Sequence, residues 1–180
     1  MFHAMKAWLQ QRLARHDLAL FRRLALSSGS STRHRRAWRG MTHLGGATST
    51  VTAVLVPFVA GRGAVRRGSV IAACALLVSH LIVQLVKRRA VRERPAAVHE
   101  GHSWARVPDR FSFPSGHATA AMAVAFAYSV AIPSLAIPLT LLAVLVGVSR
   151  VRLGVHYPGD VLAGQALAVV TVLSIWVLSR

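Results

Sequence analysis

The chain has 180 residues, of which 54% are hydrophobic and only 15% are charged, against about 25% charged residues in an ordinary soluble domain. This composition excludes an ordinary soluble domain and indicates one membrane-embedded domain. Twenty-two lysines and arginines face five acids, for a formal charge of +17, so the expected partners are anionic. The single cysteine, Cys74, excludes an internal disulfide and a cysteine-based zinc site.

Residues 1–40 form a basic N-terminal segment that holds nine of the 22 cations. Its apolar residues have an uneven helical spacing and no continuous apolar core, which predicts a helix lying on the membrane surface. A polar link over Ser27–Arg36 follows. A flexible basic tail is the alternative for this segment. The apolar positions of the predicted helix are Met5, Leu9, Leu13, Leu20 and Leu24.

Residues 41–180 are predicted to form the membrane domain, because they contain four uncharged runs close to or above the roughly 18 residues of a spanning helix. The third run has 31 residues and would be roughly 46 Å long as one helix, so it should fold back at Pro133. The prediction is an all-α bundle of about five spans, which favours lipid phosphates over nucleic acid as partners. The runs are Leu44–Ala60, Ser69–Val86, Ala118–Val148 and Val161–Ser179.

Two loops at one face of this bundle hold most of the ionisable groups outside the N-terminal segment. In the first loop, Lys87 and Arg94 are seven residues apart, about two helical turns, so both can point to one side and bind phosphate oxygens. Basic residues beside a span are also common topological anchors, and that alternative stays open for the pair taken alone.

The same loop ends in Pro114-Ser115-Gly116-His117, directly before an apolar run. These residues predict a helix start with Ser115 near the cap position, where free amides, opened further by Gly116, form an anion site. His117 can supply or remove a proton there near neutral pH. An ordinary capped helix is the alternative for the tetrapeptide.

The second loop contains Arg150, His156 and Asp160. A carboxylate one turn after His156 can hold the imidazole in one tautomer, with the other ring nitrogen free to attack. Alternatively, Asp160 only complements the dipole of the helix that follows. Because Asp160 stands almost alone, no carboxylate cluster indicates magnesium.

These residues form three motifs in a fixed order, each at a predicted helix end. Together they resemble the motifs of the type 2 phosphatidic acid phosphatase (PAP2) superfamily, and the resemblance covers roughly residues 44–180. The same motifs also resemble those of soluble vanadium haloperoxidases, but the apolar spans argue against a soluble relative. The motifs are Lys87-x6-Arg94-Pro95, Pro114-Ser115-Gly116-His117 and Ser149-Arg150-x5-His156-x3-Asp160.

The resemblance implies a role for each matching residue and a reaction without a metal cofactor. It implies that His156 attacks phosphorus and becomes a phosphohistidine, that Asp160 orients this histidine, and that His117 protonates the leaving oxygen. The other matching residues are implied to hold the phosphoryl oxygens and stabilise the charge of the transition state. They are Lys87, Arg94, Ser115, Gly116 and Arg150.

The leading hypothesis is an integral membrane phosphatase acting on a lipid-linked phosphate or pyrophosphate: a polyprenyl (pyro)phosphate, phosphatidic acid or phosphatidylglycerol phosphate. A lipid phosphotransferase using the same histidine and a non-catalytic basic protein that binds anionic lipid are the alternatives. With residues 1–40 on one side, the catalytic face carries 18 cations and the other face four. The positive-inside rule then places the catalytic face in the cytoplasm, and an N-terminal helix that spans would reverse this orientation.

Histidines outside the motifs have more ordinary interpretations. His80 lies in a predicted span one turn from Gln84, which predicts an interhelical hydrogen bond. His99 and His102 flank Glu100, but no further clustered acid indicates a metal site.

Aromatic residues near the loops have two expected roles. Trp104 and Trp176 are expected to anchor the protein at the membrane interface. The polar loop Ala96–Arg110, with Phe111 and Phe113 at its rim, is expected to help select the substrate.

Overall fold

The computed structural model describes residues 14–98, 103–105, 107 and 109–179, which are helical apart from their loops and one isolated bridge between Glu93 and Phe111. The all-α prediction is therefore confirmed. A first helix, α1, is described over residues 14–24. In chain order there follow α2 (Thr32–His43), α3 (Ala47–Ala60), α4 (Ala64–Ala90), the short α5 (Pro95–Val98), α6 (Gly116–Ala131), α7 (Ala136–Arg152) and α8 (Pro158–Leu178).

All five predicted apolar segments are helical, as α3, α4, α6, α7 and α8. Three helices are long and apolar enough to cross a membrane: α4, α8, and α7 taken with the 3-10 turn that precedes it. A fourth span is reached if α2 and α3, which meet at 47°, count as one. α6 has 16 residues and is a shorter apolar helix. By length and composition, the described helices therefore give three or four spans rather than the predicted five.

The predicted reversal at Pro133 is confirmed. α6 ends at Ala131, and Ile132 leaves the helix with φ −137° and ψ 84°. Pro133 then opens a 3-10 turn, because proline has no amide hydrogen with which to continue the preceding helix. The chain turns back here, and His117 near the start of α6 lines the same cavity as Arg150 near the end of α7.

α6 lies at the centre of the bundle and packs against α4, α7 and α8. Glycines on the neighbouring helices permit this close approach. A Cβ atom added at Gly164 of α8 would lie 2.8 Å from the Ser115 carbonyl oxygen, and one at Gly147 of α7 would lie 2.6 Å from a Val161 methyl carbon. Gly164 therefore lets α8 pack directly against the start of α6, and Gly147 lets α7 pack against α8, as expected for closely packed membrane helices.

The N-terminal segment differs from the prediction at its polar link. α2 begins at Thr32, so the link ends earlier than Arg36. The reason is a helix cap, since the Ser31 hydroxyl accepts a hydrogen bond from the His34 amide. The predicted apolar positions Met5, Leu9 and Leu13 lie outside the described residues.

α1 packs against the loop between α7 and α8 through its buried residue Phe21. The Phe21 ring meets the Tyr157 ring edge-on, with 5.5 Å between the ring centroids. The predicted apolar positions Leu20 and Leu24 remain exposed on the other side of α1. The helix therefore contacts the loop that carries His156, a contact that the sequence did not predict.

Candidate active site

A cavity of about 400 Å³ lies between α3, α4, α6 and α7 at the end of the bundle where the two loops meet. Six of the eight predicted site residues line this cavity. They are Lys87, Arg94, Gly116, His117, Arg150 and His156. The other two, Ser115 and Asp160, are fully buried beside it, and the Ser115 amide donates a hydrogen bond of 3.0 Å to the Asp160 carbonyl oxygen. The structure thus brings all eight together.

Lys87 and Arg94 reach the cavity by a different route from the one predicted. α4 ends at Ala90, and Val91 adopts the left-handed conformation with φ 44°, so Arg94 lies beyond the helix rather than two turns along it. The left-handed residue redirects the chain, and the loop carries Arg94 back over the cavity. Both cationic side chains are buried, at 6% and 5% exposure.

Asp109, which the sequence analysis did not single out, binds both of these cations. Its Oδ2 atom lies 2.7 Å from Lys87 Nζ, and its Oδ1 atom lies 2.9 Å from Arg94 Nη2. Burial raises the pKa of the Asp109 carboxyl, but the hydrogen bonds and charges of Lys87 and Arg94 outweigh it and lower the pKa. The carboxylate therefore stays charged and occupies the position in which these two cations can bind an anion.

Arg150 provides hydrogen-bond donors that have no partner among the described residues. Its Nη1 atom donates to the Thr42 hydroxyl at 2.7 Å, which fixes the guanidinium group. The Nε and Nη2 atoms are buried without a hydrogen bond. Unpaired buried donors are costly, and a guanidinium group binds phosphate oxygens in a planar, bidentate geometry. The side chain is thus set to bind an anion in the cavity.

The start of α6, where the sequence predicts a further anion site, lies at the cavity. Ser115 is the residue before the first turn, and its buried hydroxyl has no hydrogen-bond partner among the described residues. The first amides of a helix lack intrahelical partners, although the Ser115 amide itself is used by Asp160. A Cβ atom at Gly116 would meet nothing within 4 Å, so open space lies over this turn.

His156 lies between the cations and Asp160. Its Nε2 atom is 3.1 Å from Arg94 Nη1, and its Nδ1 atom is 3.6 Å from Asp160 Oδ2. The second distance is longer than a hydrogen bond, although such contacts often tighten when substrate binds. Burial, followed by the charges of Arg150, Arg94 and Lys87, lowers the pKa of His156 well below its usual value. The imidazole is therefore neutral, as a nucleophile must be.

Asp160 is held by two other groups. Its Oδ2 atom accepts the Tyr157 amide at 2.8 Å, and its Oδ1 atom accepts a charged hydrogen bond of 2.7 Å from Arg92 Nη1. The hydrogen bond from the Tyr157 amide forms part of a capping box at the start of α8. Asp160 therefore lies in the first turn of α8, where it complements the helix dipole, and it also lies next to His156. Arg92 also lies over the Tyr157 ring, 4.1 Å from its centroid.

Arg92 is held in turn by α1. Its Nη2 atom lies 2.6 Å from Asp17 Oδ2, and the other Asp17 oxygen accepts the Gly159 amide at 2.7 Å. Asp17 therefore joins α1 to the first turn of α8 and to the arginine that holds Asp160. Neither Asp17 nor Arg92 was predicted as a site residue.

The composition contained a signal for Asp17 and Asp109, the two acids that the sequence analysis missed. Only five acids are present in the whole chain, and all four that the structure describes pair with cations on this face. Asp17 and Asp160 both pair with Arg92, and Asp109 pairs with Lys87 and Arg94. Glu93 pairs with Arg110 at 2.7 Å. In so basic a chain, each acid is a candidate for a position near the site.

The structure also describes some of the residues outside the site for which the sequence made a prediction. His80 bonds with Gln84 of the same helix, with 3.4 Å between their Nε2 atoms, so the predicted interhelical bond is wrong. Trp104 donates its backbone amide to the Leu153 carbonyl oxygen at 3.0 Å and lies beneath Arg35. Among the described residues, no group of three or more potential metal ligands lies together. Residues 99, 100 and 102, and parts of the loop over 96–110, lie outside them.

Comparisons with known proteins match the part of the chain that carries these residues. A family model described as the PAP2 superfamily matches residues 68–180. A decaprenylphosphoryl-5-phosphoribose phosphatase of Mycobacterium tuberculosis is 39% identical over 106 residues, covering 57% of this chain and 56% of that protein. Its counterpart in Mycolicibacterium smegmatis is 34% identical over 132 residues, covering 70% and 68%. This chain therefore spans little more than half the length of the first of these relatives.

The fold also matches a solved structure. The transmembrane PAP2 type phosphatidylglycerolphosphate phosphatase from Bacillus subtilis superposes with a TM-score of 0.76, covering 93% of this chain and 86% of that one. Only 22% of residues are identical, so this likeness concerns the fold alone. The matched family region begins after α1, α2 and α3, and Asp17 and Thr42 therefore lie outside it.

Proposed function

This chain belongs to the PAP2 superfamily, and from that premise we propose that it is a membrane phosphatase that hydrolyses a lipid-linked phosphate through a phosphohistidine intermediate. The observation that carries the proposal is the position of His156. Its Nε2 atom faces Arg94 at 3.1 Å, inside a cavity also lined by Lys87 and Arg150. A neutral nitrogen beside three cations is placed to attack a phosphorus atom whose oxygens those cations hold.

The proposed reaction has two steps. In the first, His156 Nε2 forms a bond to phosphorus while the bond between phosphorus and the lipid oxygen breaks, and His117, protonated in the complex with the anionic substrate, gives that oxygen its proton. In the second, water attacks the phosphohistidine, His117 takes a proton from the water, and the bond between nitrogen and phosphorus breaks. Inorganic phosphate and the lipid alcohol are the products.

The cationic groups bind the phosphoryl oxygens in this scheme. Lys87 and Arg94 exchange Asp109 for the phosphoryl group, and Arg150 contributes its two unpaired donors. The Ser115 hydroxyl and the open turn at Gly116 complete the binding site. Asp160, fixed by Arg92 and the Tyr157 amide, faces His156 Nδ1 and supports its positive charge once Nε2 is phosphorylated.

The substrate class follows from the cavity and the relatives. The cavity continues from the cations along apolar side chains of α3 and α4, which suits a phosphate joined to a lipid tail. The relatives named above are phosphatases of decaprenylphosphoryl-5-phosphoribose. We place this chain among phosphatases of lipid-linked phosphates in the membrane, and the polyprenyl (pyro)phosphates, phosphatidic acid and phosphatidylglycerol phosphate are the panel to test.

The catalytic face is proposed to lie in the cytoplasm. Asp17 and Phe21 hold α1 against the catalytic loop, which supports counting the N-terminal cations on the catalytic face. That count gives 18 cations against four on the other face, and positive loops stay in the cytoplasm. Accessibility labelling of cysteines introduced at Arg110 and Arg62 in intact cells would test this, with labelling at Arg110 alone from the outside contradicting it.

The test of the activity is phosphate release by the detergent-purified protein in EDTA from phosphatidic acid, phosphatidylglycerol phosphate, undecaprenyl phosphate and undecaprenyl pyrophosphate. The wild type is compared with His156→Ala and with the matched control His34→Ala, which changes an exposed histidine on α2. Release that persists in EDTA, disappears in His156→Ala and survives in His34→Ala supports the proposal. A folded wild type that releases nothing, or an active His156→Ala variant, contradicts it.

A further inference from the structure

The cavity has a second polar region, separate from the cations. It follows α4 from Lys87 down to Leu76, a length of roughly 16 Å. Most of this lower part is apolar, as expected for the path of a hydrocarbon tail. Four polar side chains nevertheless line it: Thr50 on α3, and Ser79, His80 and Gln84 on α4.

Two of these polar groups already have partners within their own helices. The Thr50 hydroxyl donates to the Gly46 carbonyl oxygen at 2.9 Å, and the buried Ser79 hydroxyl donates to the Leu76 carbonyl oxygen at 3.4 Å. Such hydroxyls are common in membrane helices and require no ligand. They therefore contribute acceptors to the cavity wall but do not by themselves indicate a site.

His80 and Gln84 differ from the two hydroxyl residues. Both side chains are exposed on the surface of the protein alone, and both line the cavity. Among the described residues, each has the other as its hydrogen-bond partner, at 3.4 Å between nitrogen atoms, which is a long contact. An imidazole and an amide together offer more donors and acceptors than one such bond uses.

The unused donors and acceptors of His80 and Gln84 lie below the level of the cations, toward the interior of the membrane. Along the axis of α4, Gln84 lies about 4.5 Å and His80 about 10 Å from Lys87, toward the interior of the membrane. Polar side chains at that depth are costly unless they bind a partner, and in membrane proteins they commonly mark a path for a ligand. Among the described residues, the neighbouring helices provide no hydrogen bond to either side chain, and a ligand in the cavity that both line is placed to supply one.

When the phosphate of a substrate lies among the cations, the atoms that join this phosphate to the lipid tail lie beside His80 and Gln84. In a bare polyprenyl phosphate, those atoms are hydrocarbon and offer nothing to an imidazole or an amide. In a lipid whose phosphate is joined to the tail through a glycerol or a pentose, they include hydroxyl, ether or ester oxygens. A paired amide and imidazole complement such oxygens.

We propose that His80 and Gln84 form a subsite for an oxygen-bearing linker, a glycerol or pentose unit between the phosphate and the lipid tail. The subsite rests on the proposed function, because it takes the cation cluster as the phosphate site. It narrows the substrate class to lipid phosphates with a polyol linker and disfavours bare polyprenyl phosphates.

The test measures binding rather than turnover. Two ligands of equal overall length are compared: a 1-O-alkyl-glycerol 3-phosphate, and an alkyl phosphate that lacks the glycerol oxygens. Dissociation constants are measured in detergent with EDTA for His156→Ala and for the same variant carrying His80→Leu and Gln84→Leu. Leucine suits a membrane helix, so folding is preserved. The matched control is Ser174→Leu, a polar to apolar change on the exposed face of α8, outside the cavity.

We expect the His156→Ala protein to bind the glycerol phosphate about tenfold more tightly than the alkyl phosphate, a ratio that one or two hydrogen bonds provide. The His80→Leu and Gln84→Leu changes should reduce this ratio to about one, whereas Ser174→Leu should leave it unchanged. Equal affinities before the changes, or a ratio that survives them, would overturn the proposal. Absence of phosphate release by the wild type would contradict the proposed function instead, and the ratio of the two dissociation constants could still be measured.

Discussion

Asp17 and Arg92 form an ion pair of 2.6 Å although they are 75 residues apart. The pair connects a helix outside the matched family region to the carboxylate beside the candidate nucleophile, because the other Arg92 nitrogen bonds to Asp160 at 2.7 Å. Among the described residues, Arg92 forms no hydrogen bond with His156 or with the cations that are proposed to bind phosphate. It is therefore a positioning residue for Asp160.

Replacing Asp17 with asparagine should lower the turnover number without changing the KM. The oxygen of the new side-chain amide would still accept the Gly159 amide, but the charge that holds Arg92 would be lost, and Asp160 would be less firmly fixed. We expect kcat to fall by about tenfold, in line with the loss of one charged hydrogen bond. Steady-state kinetics with the preferred lipid gives both constants.

Glu93→Gln is the matched control for this substitution. It also converts an acid to its amide, but the Glu93 pair with Arg110 is solvent-exposed, and exposed pairs contribute little. Equal losses in both variants, or a loss confined to KM in Asp17→Asn, would show that Asp17 does not act through Asp160.

Replacing Asp109 with asparagine should tighten the binding of phosphate analogues. The carboxylate competes with phosphate for Lys87 and Arg94, and an amide competes much less well. Because the Asp109 side chain is one-third exposed, the expected gain is modest, up to about fivefold. The measurement is the inhibition constant of orthovanadate for the Asp109→Asn variant and for the wild type. Weaker inhibition of the variant would instead assign Asp109 to the binding of substrate.

The pH dependence of kcat/KM should report the charges around His156. Burial and the nearby cations lower its pKa well below the usual value of 6.5, and only the neutral form can attack. As pH falls, the free enzyme should therefore keep a neutral nucleophile well below pH 6.5. Arg150→Gln removes the cation with the largest effect on this pKa, which raises the pKa and moves the acid limb of the profile to higher pH.

Arg150→Lys is the comparison for the pH profile. It keeps the charge but not the planar group, so its activity should fall while its acid limb stays near that of the wild type. Ionisation of the substrate is the same for all three proteins and cancels from the comparison. An acid limb that does not move in Arg150→Gln would contradict the assignment.

Gly164→Ala should destabilise the protein and reduce its activity. The added Cβ would lie 2.6 Å from Thr119 Oγ1 and 2.8 Å from the Ser115 carbonyl oxygen, so α8 must move away from the start of α6. Overpacking of this kind costs about 1–3 kcal/mol. Gly116→Ala meets nothing within 4 Å and should leave the melting temperature unchanged, and thermal unfolding in detergent compares the two. A Gly164→Ala protein as stable as Gly116→Ala would show that this contact does not limit the packing.

Much of this architecture could be predicted from the sequence because hydrophobic runs and proline act locally. The five apolar segments and the reversal at Pro133 follow from chain length and from the missing proline amide. The reversal also fixes which loops share a face, and this placed the motifs together. The same logic failed where the backbone left helical geometry, since nothing in the sequence around Val91 indicated its left-handed conformation.

Contacts between distant segments were the part that local patterns could not provide. Asp17 meets Gly159, and Thr42 meets Arg150, only because α1 and α2 fold over the end of the bundle. The position of Asp109 depends in the same way on the path of a loop. Charge balance was the one global signal available, since the scarcity of acids made each of them a candidate.

The hydrogen bond between Thr42 and Arg150, 108 residues apart, determines when the site can be completed during synthesis of the chain. Protein chains emerge from the ribosome with the N-terminal part first, so Thr42 enters the membrane region well before its arginine partner has been synthesised. His156 and Asp160 come later still, after the end of α7. A partly synthesised chain therefore lacks the proposed nucleophile and has only part of the proposed anion site, and the proposed hydrolysis must wait until the loop between α7 and α8 has been translated.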